Sequence, residues 1–219
     1  MEQMSLGEEV KRKDLLVNIT RDMLSLGLHG FYNISYKNID EISSLNERGF
    51  VLLPKHQHLI DIILEGIVLK KGLRRNGNYI MKESLPKILE HYGGVPIVRG
   101  KDIVKDSKAS RKELIEEAKK QRDKVIGTIR YFLSVDEIVV IHPEGTRLYQ
   151  RNGELNKPLL RNLVNMQNEL GKEIPFVPLK IEYEKLGKPF SQITLTVGKP
   201  IYTDNASDLA ARVEEAIYF

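Results

Sequence analysis

The stretch GFVLLPKHQHLIDIIL (residues 49–64) decides the fold class of this chain. Its first six residues are continuously apolar, which is typical of a short strand buried on both faces of a sheet. From Leu59 onward the apolar residues are interrupted by Asp61 and Glu65 at helical spacing. The pattern predicts a strand that ends just before His56 and a helix that begins near Leu59. A strand followed directly by a helix is the repeating unit of an α/β fold.

Strands and helices alternate along most of the remaining sequence. The predicted strands are 31–36, 49–54, 78–81, 95–98, 137–142, 176–183 and 193–197. The predicted helices are 8–28, 59–69, 84–91, 107–134 (one long helix or two consecutive ones), 159–170 and 206–218. This alternation predicts a single α/β domain with a mostly parallel, mixed central sheet covered by helices. We assign residues 1–30 to an N-terminal amphipathic helical segment and residues 31–219 to this domain.

The composition excludes several kinds of site. The chain has 219 residues and no Cys, so disulfides, thiolate nucleophiles and zinc-thiolate centres are absent. Its formal net charge is +4, and basic residues are mixed with acidic ones without a nucleic-acid-binding module, so we expect no nucleic-acid partner. No apolar run approaches the ~20 residues of a spanning helix. The acidic opening of the sequence lacks the pattern of a signal peptide, so we expect a cytoplasmic protein.

His56 and Asp61 form the pair that most directly indicates a chemistry. A carboxylate that accepts from Nδ1 of a histidine leaves Nε2 to take a proton, which gives an oriented general base. No nucleophile is adjacent in the sequence, so the attacking hydroxyl is expected to belong to the substrate. Two alternatives stay open: an ordinary surface contact between the two side chains, and a metal site formed by His56, His58 and Asp61.

Three later segments also carry polar or special residues at the ends of predicted strands. The segment 93–100 (GGVPIVRG) ends in Arg99, whose guanidinium suits a phosphate, and its Pro96 predicts an edge strand or a bulge. The segment 139–147 (VVIHPEGTR) is a buried strand followed by a polar turn. The segment 174–180 (IPFVPLK) suits either an edge strand or the wall of an acyl channel. Ligand sites of parallel sheets lie beyond the carboxyl ends of the strands, where these polar residues fall.

The four segments occur in the order and approximate spacing of the motifs of the glycerolipid acyltransferase family, which includes the 1-acylglycerol-3-phosphate acyltransferases. The sequence from about Gly49 to Pro200 resembles that family. The matching parts are His56 to Asp61 (the HxxxxD motif), Glu144 to Arg147 (the EGTR motif), Lys82 to Pro86 with Gly93 to Arg99, and Val177-Pro178. The sequence departs from the family at Lys55, His58, His142, Leu148 and 156–159, so the identity of the acceptor is less defined than the reaction.

The resemblance implies transfer of an acyl group from acyl-CoA or acyl carrier protein to a hydroxyl of a glycerophospholipid precursor, with 1-acylglycerol-3-phosphate (lysophosphatidic acid) as the leading acceptor. It implies His56 as the general base and Asp61 as the group that orients it. The acceptor phosphate is expected at Arg99, Glu144, Gly145, Thr146 and Arg147, and an acyl-donor channel at Val177 and Pro178. Backbone N–H groups near the start of the helix after His56 are candidate donors to the oxyanion. No cofactor or metal is expected beyond the thioester co-substrate.

Other functions and acceptors stay open. The acceptor is alternatively another lyso-lipid or glycerol 3-phosphate, and the chain is alternatively a thioester hydrolase or a lipid-binding protein without catalysis. A lysophospholipid acceptor implies a peripheral position on the cytoplasmic face of a membrane. The candidate contacts are helix 8–28, helix 59–69 and the basic cluster Lys70, Lys71, Arg74 and Arg75. Two alternatives stay open. Helix 8–28 packs on the domain, and the basic cluster stabilises the negative end of a helix dipole.

Overall fold

The computed structural model describes residues 12–82, 86–97, 111–145 and 154–219. Its α-helices are α1 (Asp14–Phe31), α2 (Asp61–Leu73), α3 (Arg111–Ser134), α4 (Lys157–Leu170) and α5 (Ala206–Tyr218). Its strands are β1 (Asn33–Lys37), β2 (Val51–Pro54), β3 (Gly77–Lys82), β4 (Gly94–Ile97), β5 (Ile138–Val140), β6 (Phe176–Tyr183) and β7 (Gln192–Val197). Short 3-10 helices span Ile39–Leu45 and Lys87–Tyr92.

The described strands form one seven-stranded sheet in the order β1-β7-β6-β2-β5-β3-β4. All neighbouring pairs are parallel except β6 and β7, which are antiparallel. The predicted mostly parallel, mixed sheet covered by helices is therefore confirmed. Strand β2 lies at the centre between β5 and β6, so the loop that carries His56 leaves the most buried part of the sheet.

Alternate residues of the central strands feed two separate cores. Val51 and Leu53 face helices α3, α4 and α5, whereas Phe50 and Leu52 face α2 and the 3-10 helix Ile39–Leu45. A strand buried on both faces needs apolar residues at every position, which accounts for the continuous run 49–54. Burying each large side chain of this kind contributes roughly 1.5–3 kcal/mol, so this strand anchors both layers.

Helix α2 is buried rather than lipid-facing. Leu64, Val68 and Leu69 are fully buried in the core on one face of the sheet. Lys70 and Lys71 lie in its last turn, where cations favour the negative end of the helix dipole, and the helix ends at Arg74 in a left-handed conformation. The apolar character of the predicted helix 59–69 is thus explained by packing.

Most other differences from the sequence prediction are local. The helix predicted at 84–91 is the 3-10 helix Lys87–Tyr92, with residues 83–85 outside the described part. The 3-10 helix Ile39–Leu45 was not predicted. Strand β4, which contains Pro96, is at the edge of the sheet as expected, because a proline cannot donate to a further strand. Strand β6 is an interior strand, although Pro175 and Pro178 in the segment 174–180 had suggested an edge.

Helix α1 presents its apolar face to solvent. Leu15, Ile19, Met23 and Leu26 are between 51% and 78% exposed, whereas Arg21 is buried. Arg21 donates to the side chains of Asn18 and Asn76. These four side chains are therefore not packed onto the domain, whereas Leu16 is half-buried and Leu28 packs against the core beneath α1.

Gly49 permits a close approach between two backbone segments at the start of β2. A Cβ atom at this position would lie 2.9 Å from both Asp136 Cα and Glu137 O. The amide of Gly49 also donates to the side chain of Asp136 at 3.1 Å. Because the neighbouring atoms belong to the backbone, only a shift of the chain can make room for a side chain.

We predict that Gly49→Ala lowers the free energy of unfolding by about 1–3 kcal/mol, the usual result of forcing atoms into a packed site. The matched control is Gly27→Ala in α1, where a Cβ atom meets nothing within 4 Å. There alanine is expected to be neutral or stabilising by up to ~1 kcal/mol, because glycine is the poorer helix former. Chemical denaturation of both variants tests this, and equal stability of Gly49→Ala and the unaltered protein would contradict it.

Candidate active site

Polar side chains gather at the carboxyl edge of the parallel strands. His56 follows β2, His142 and Glu144 follow β5, and Tyr183 is the last residue of β6. Asp61 and Glu65 come from the first turns of α2 and are both fully buried. Since β2, β5 and β6 are parallel, their ends meet at one edge, as the sequence pattern predicted.

The predicted pair of His56 and Asp61 is in contact. His56 Nδ1 lies 3.2 Å from Asp61 Oδ2, and both side chains are buried. An ionised carboxylate only accepts hydrogen bonds, so Nδ1 carries the hydrogen. In the neutral ring the lone pair is then on Nε2, which is the arrangement of an oriented base.

Asp61 is held by four hydrogen bonds. Its Oδ2 also accepts the backbone N–H groups of Gln57 at 2.6 Å and His58 at 2.7 Å, and its Oδ1 accepts the hydroxyl of Tyr183. Burial by itself would raise the pKa of Asp61, but the hydrogen bonds from His56, Tyr183, His58 and Gln57 outweigh it and hold that pKa below its usual value. Asp61 is therefore ionised at neutral pH.

The same contacts correct one expectation about the oxyanion. The backbone N–H groups just after His56 were candidate oxyanion donors, yet those of Gln57 and His58 donate to Asp61. These two groups position the carboxylate and do not face a substrate.

Glu144 braces the backbone of His56. Its Oε2 accepts the N–H of His56 at 3.0 Å, and its Oε1 accepts the hydroxyl of Tyr218 at 2.5 Å. Burial raises the pKa of Glu144 even though Tyr218 and His56 donate to it. Both carboxylate oxygens thus bond within the protein and link the His56 loop to the end of α5.

His142 stacks on His56. The ring centroids are 3.9 Å apart and the planes differ by 22°. His142 Nε2 lies 3.0 Å from Glu65 Oε1. Burial would lower the pKa of His142, but the nearby carboxylates of Glu65, Asp61 and Glu144 outweigh it and raise that pKa. The site therefore contains a second histidine–carboxylate pair directly beside the first.

A shared metal ion does not suit the stacked rings. Ligand atoms of His56, Glu65 and His142 lie within 4.8 Å of one another, which is close enough for the three residues to share one metal ion. The lone pairs of imidazole lie in the ring planes, however, and nearly parallel stacked rings do not direct two lone pairs at one point. The sequence also suggested His58 as a metal ligand. Its ring lies nearly perpendicular to the ring of Tyr183, with the two ring centroids 4.9 Å apart.

The two departures from the family motif next to His56 contact the two tyrosines of the site. The ammonium group of Lys55 lies 5.1 Å from the ring centroid of Tyr218, and His58 contacts Tyr183. Those tyrosines donate to Glu144 and Asp61. Lys55 and His58 therefore contact the rings of the tyrosines whose hydroxyl groups hold the site's carboxylates.

The remaining predicted residues are placed as follows. Gly145 adopts a φ of 67°, in the left-handed region that favours glycine, and lies in the turn after Glu144. Val177 is fully buried in the core, and Pro178 packs beside Gly198 at the start of the loop after β7. Arg99, Thr146 and Arg147, predicted to bind the acceptor phosphate, lie outside the described residues.

The sequence prediction missed Tyr183, Tyr218 and Glu65. Tyr183 ends a predicted parallel strand, so the carboxyl-end rule was a sufficient signal for it. Glu65 is one helical turn after Asp61 in an otherwise apolar helix, which was a second signal. Tyr218 carried no local signal, because its partner Glu144 is 74 residues away in the sequence.

We predict that Asp61→Asn lowers the free energy of unfolding by about 1–3 kcal/mol at pH 7, because an amide cannot accept from all four donors. Because the pKa of Asp61 is lower in the folded protein than in the unfolded one, its ionised form stabilises the fold. This stabilisation is fully present above the pKa of the unfolded state and is lost as pH falls through the pKa of the folded state. The difference between the two proteins should therefore narrow below about pH 4, where unfolded Asp becomes protonated. Denaturation at pH 7 and pH 3 tests this, with the exposed Asp204→Asn as control. A difference that does not depend on pH would refute the ionised, hydrogen-bonded state of Asp61.

Comparison with protein-family models identifies the family of this chain. A model of the acyltransferase family matches residues 33–182, which include β1 to β5, all of β6 except its last residue Tyr183, and both histidine–carboxylate pairs. No curated protein matches the chain significantly. In the described parts of the chain, no helix has the length and apolar character needed to cross a membrane. Because the family model covers more than half of the sequence, the chain belongs to the acyltransferase family.

Proposed function

We propose that this protein transfers a fatty acyl group from a thioester, acyl-CoA or acyl carrier protein, to a hydroxyl of 1-acylglycerol-3-phosphate. One observation carries the proposal: His56 Nδ1 is held by a buried, ionised Asp61 at the carboxyl edge of the sheet. The family supports acyl transfer to a lipid acceptor, and the resemblance of the EGTR segment to that of 1-acylglycerol-3-phosphate acyltransferases supports the phosphate-bearing acceptor.

The proposed reaction has two stages. His56 Nε2 takes the proton of the acceptor hydroxyl as its oxygen bonds to the thioester carbonyl carbon, which gives a tetrahedral oxyanion. The C–S bond then breaks, the carbonyl re-forms as an ester, and the leaving thiolate takes the proton from His56. One ester and one thiol result, and the protein returns to its starting state without a covalent intermediate.

Asp61 has two roles in this reaction. It keeps the hydrogen on Nδ1 of His56, and its negative charge stabilises the imidazolium that forms when Nε2 takes the proton. Because its pKa is depressed, Asp61 stays ionised and does not compete for that proton. General-base assistance of this kind accelerates a reaction by about 10²–10⁴-fold, with positioning of the reactants contributing the rest.

The acceptor phosphate is proposed to bind to Arg99 and Arg147, together with Gly145 and Thr146. Arginine side chains hold phosphate with two parallel hydrogen bonds, which is the reason for preferring them to other residues of these segments. Glu144 contributes indirectly, since its carboxylate holds the backbone of His56 and the hydroxyl of Tyr218. No cofactor beyond the thioester takes part.

We predict that His56→Ala reduces acyl transfer at least about 100-fold, the loss expected when a general base is removed. The assay follows labelled acyl-CoA with and without 1-acylglycerol-3-phosphate, and a panel of other lyso-lipids and glycerol 3-phosphate identifies the acceptor. His91→Ala, in the 3-10 helix Lys87–Tyr92 away from this edge, is the matched control and should keep its activity.

The same assay separates the alternatives. Product that depends on the acceptor supports the transferase, free fatty acid without acceptor indicates a thioester hydrolase, and binding without turnover indicates a carrier. Near-full activity of a folded His56→Ala protein would exclude His56 as the base.

We also propose that the protein acts while bound to the cytoplasmic face of a membrane through helix α1. The apolar stripe of Leu15, Ile19, Met23 and Leu26 is exposed, as it is in helices that lie in a bilayer interface. Leu26 lines one open groove between α1 and the end of α2 together with Lys70, Lys71 and Arg74, of which Lys70 forms an ion pair with Asp22 in the same groove. An apolar stripe beside cations is complementary to acyl chains and anionic head groups.

We predict that the triple variant Leu15→Ser/Met23→Ser/Leu26→Ser binds phosphatidylglycerol vesicles at least about tenfold more weakly, because three apolar side chains no longer enter the interface. Vesicle flotation measures this. A matched control, Ile115→Ser/Val135→Ser/Leu186→Ser, removes exposed apolar side chains elsewhere and should leave binding unchanged. Equal loss in both variants would show that the α1 stripe has no special role.

A further inference from the structure

Glu65 is a buried acid that the proposed reaction does not use. It is fully buried in an otherwise apolar helix, and its Oε2 atom is buried without a hydrogen-bond partner. Burying a carboxylate is unfavourable unless a cation balances it, and a leucine at this position would avoid the problem. Packing alone therefore does not explain why an acid is present one turn after Asp61.

The group that balances Glu65 is His142. Its Nε2 donates to Glu65 Oε1 at 3.0 Å, and the ring is mostly buried, with 13% of the side chain exposed. Three carboxylates surround this ring, Glu65 and Asp61 from α2 and Glu144 from its own loop, and they outweigh burial to raise the pKa of His142. The only other ionisable ring stacked on His142 within the described residues is that of His56.

The stacking fixes His56 on its face, whereas Asp61 fixes it at its edge. The centroids are 3.9 Å apart with planes 22° from parallel, so neither ring can tilt without displacing the other. His142 is anchored by its hydrogen bond to Glu65 and by the buried strand β5 that precedes it.

We propose that His142, held by Glu65, is a positioning residue: its stacked ring fixes the plane of His56 before substrate binds. The proposal rests on the proposed function for its catalytic meaning, although the contact between the two rings exists without substrate. Asp61 and His142 then act together, since Asp61 holds the edge of the His56 ring and His142 holds its face.

The test compares two variants of the full chain. His142→Phe keeps a stacked ring, whereas His142→Ala removes it. In the acyl-transfer assay His142→Ala should lower kcat about tenfold with little change of KM, because a misplaced base slows the reaction without weakening substrate binding, and His142→Phe should restore most of that loss. Without substrate, the NMR ring signals of His56 should broaden in His142→Ala, where the ring can tilt, and should stay sharp in His142→Phe. His142→Asn, which also lacks an aromatic ring, replaces His142→Ala if that variant does not fold, with the same direction expected.

Unchanged kcat and sharp His56 signals in a folded His142→Ala protein would overturn the proposal and leave His142 a packing residue, as would a loss of kcat in His142→Phe as large as that in His142→Ala. If the NMR difference is present but none of the proteins transfers acyl groups, the proposed function fails and the contact between the two rings stands.

Discussion

The carboxylate of Asp61 is the group on which the rest of the site depends. Its hydrogen bonds join the loop after β2, the start of α2 and the end of β6 through His56, Gln57, His58 and Tyr183. A fully buried charge is stable only when donors replace the lost water, and here four donors do so. The same bonds that allow Asp61 to be buried also fix the orientation of His56, so stability and function share one set of contacts.

Three buried acids surround His56, and each has a different effect on it. Asp61 binds the ring at Nδ1, Glu144 binds its backbone N–H, and Glu65 acts through the stacked ring of His142. A histidine held at its edge, face and backbone loses little further freedom when substrate binds. Because folding has already fixed this geometry, the free energy of ordering the base does not add to the barrier of the reaction.

The sequence predicted the elements and contacts that local residue spacing decides. It did not predict the contacts between residues that are distant in the sequence. The continuous apolar run 49–54 predicted a strand buried on both faces, and the spacing of His56 and Asp61 predicted their contact. Tyr218 was not predicted, because the packing of α5 decides its contact with Glu144 across 74 residues. Periodicity likewise identified the apolar face of α1 without indicating that the domain leaves it uncovered.

The central claim is that His56 activates the hydroxyl of the substrate and that no acyl group is attached to the protein. The most direct test is the release of thiol from acyl-CoA in the first turnover, followed with a thiol-reactive dye, to which the protein contributes no background because it has no Cys. We predict no burst of thiol before the acceptor is added and steady release afterwards. One equivalent of thiol released per protein molecule without acceptor, with the acyl group retained on the protein, would contradict the account.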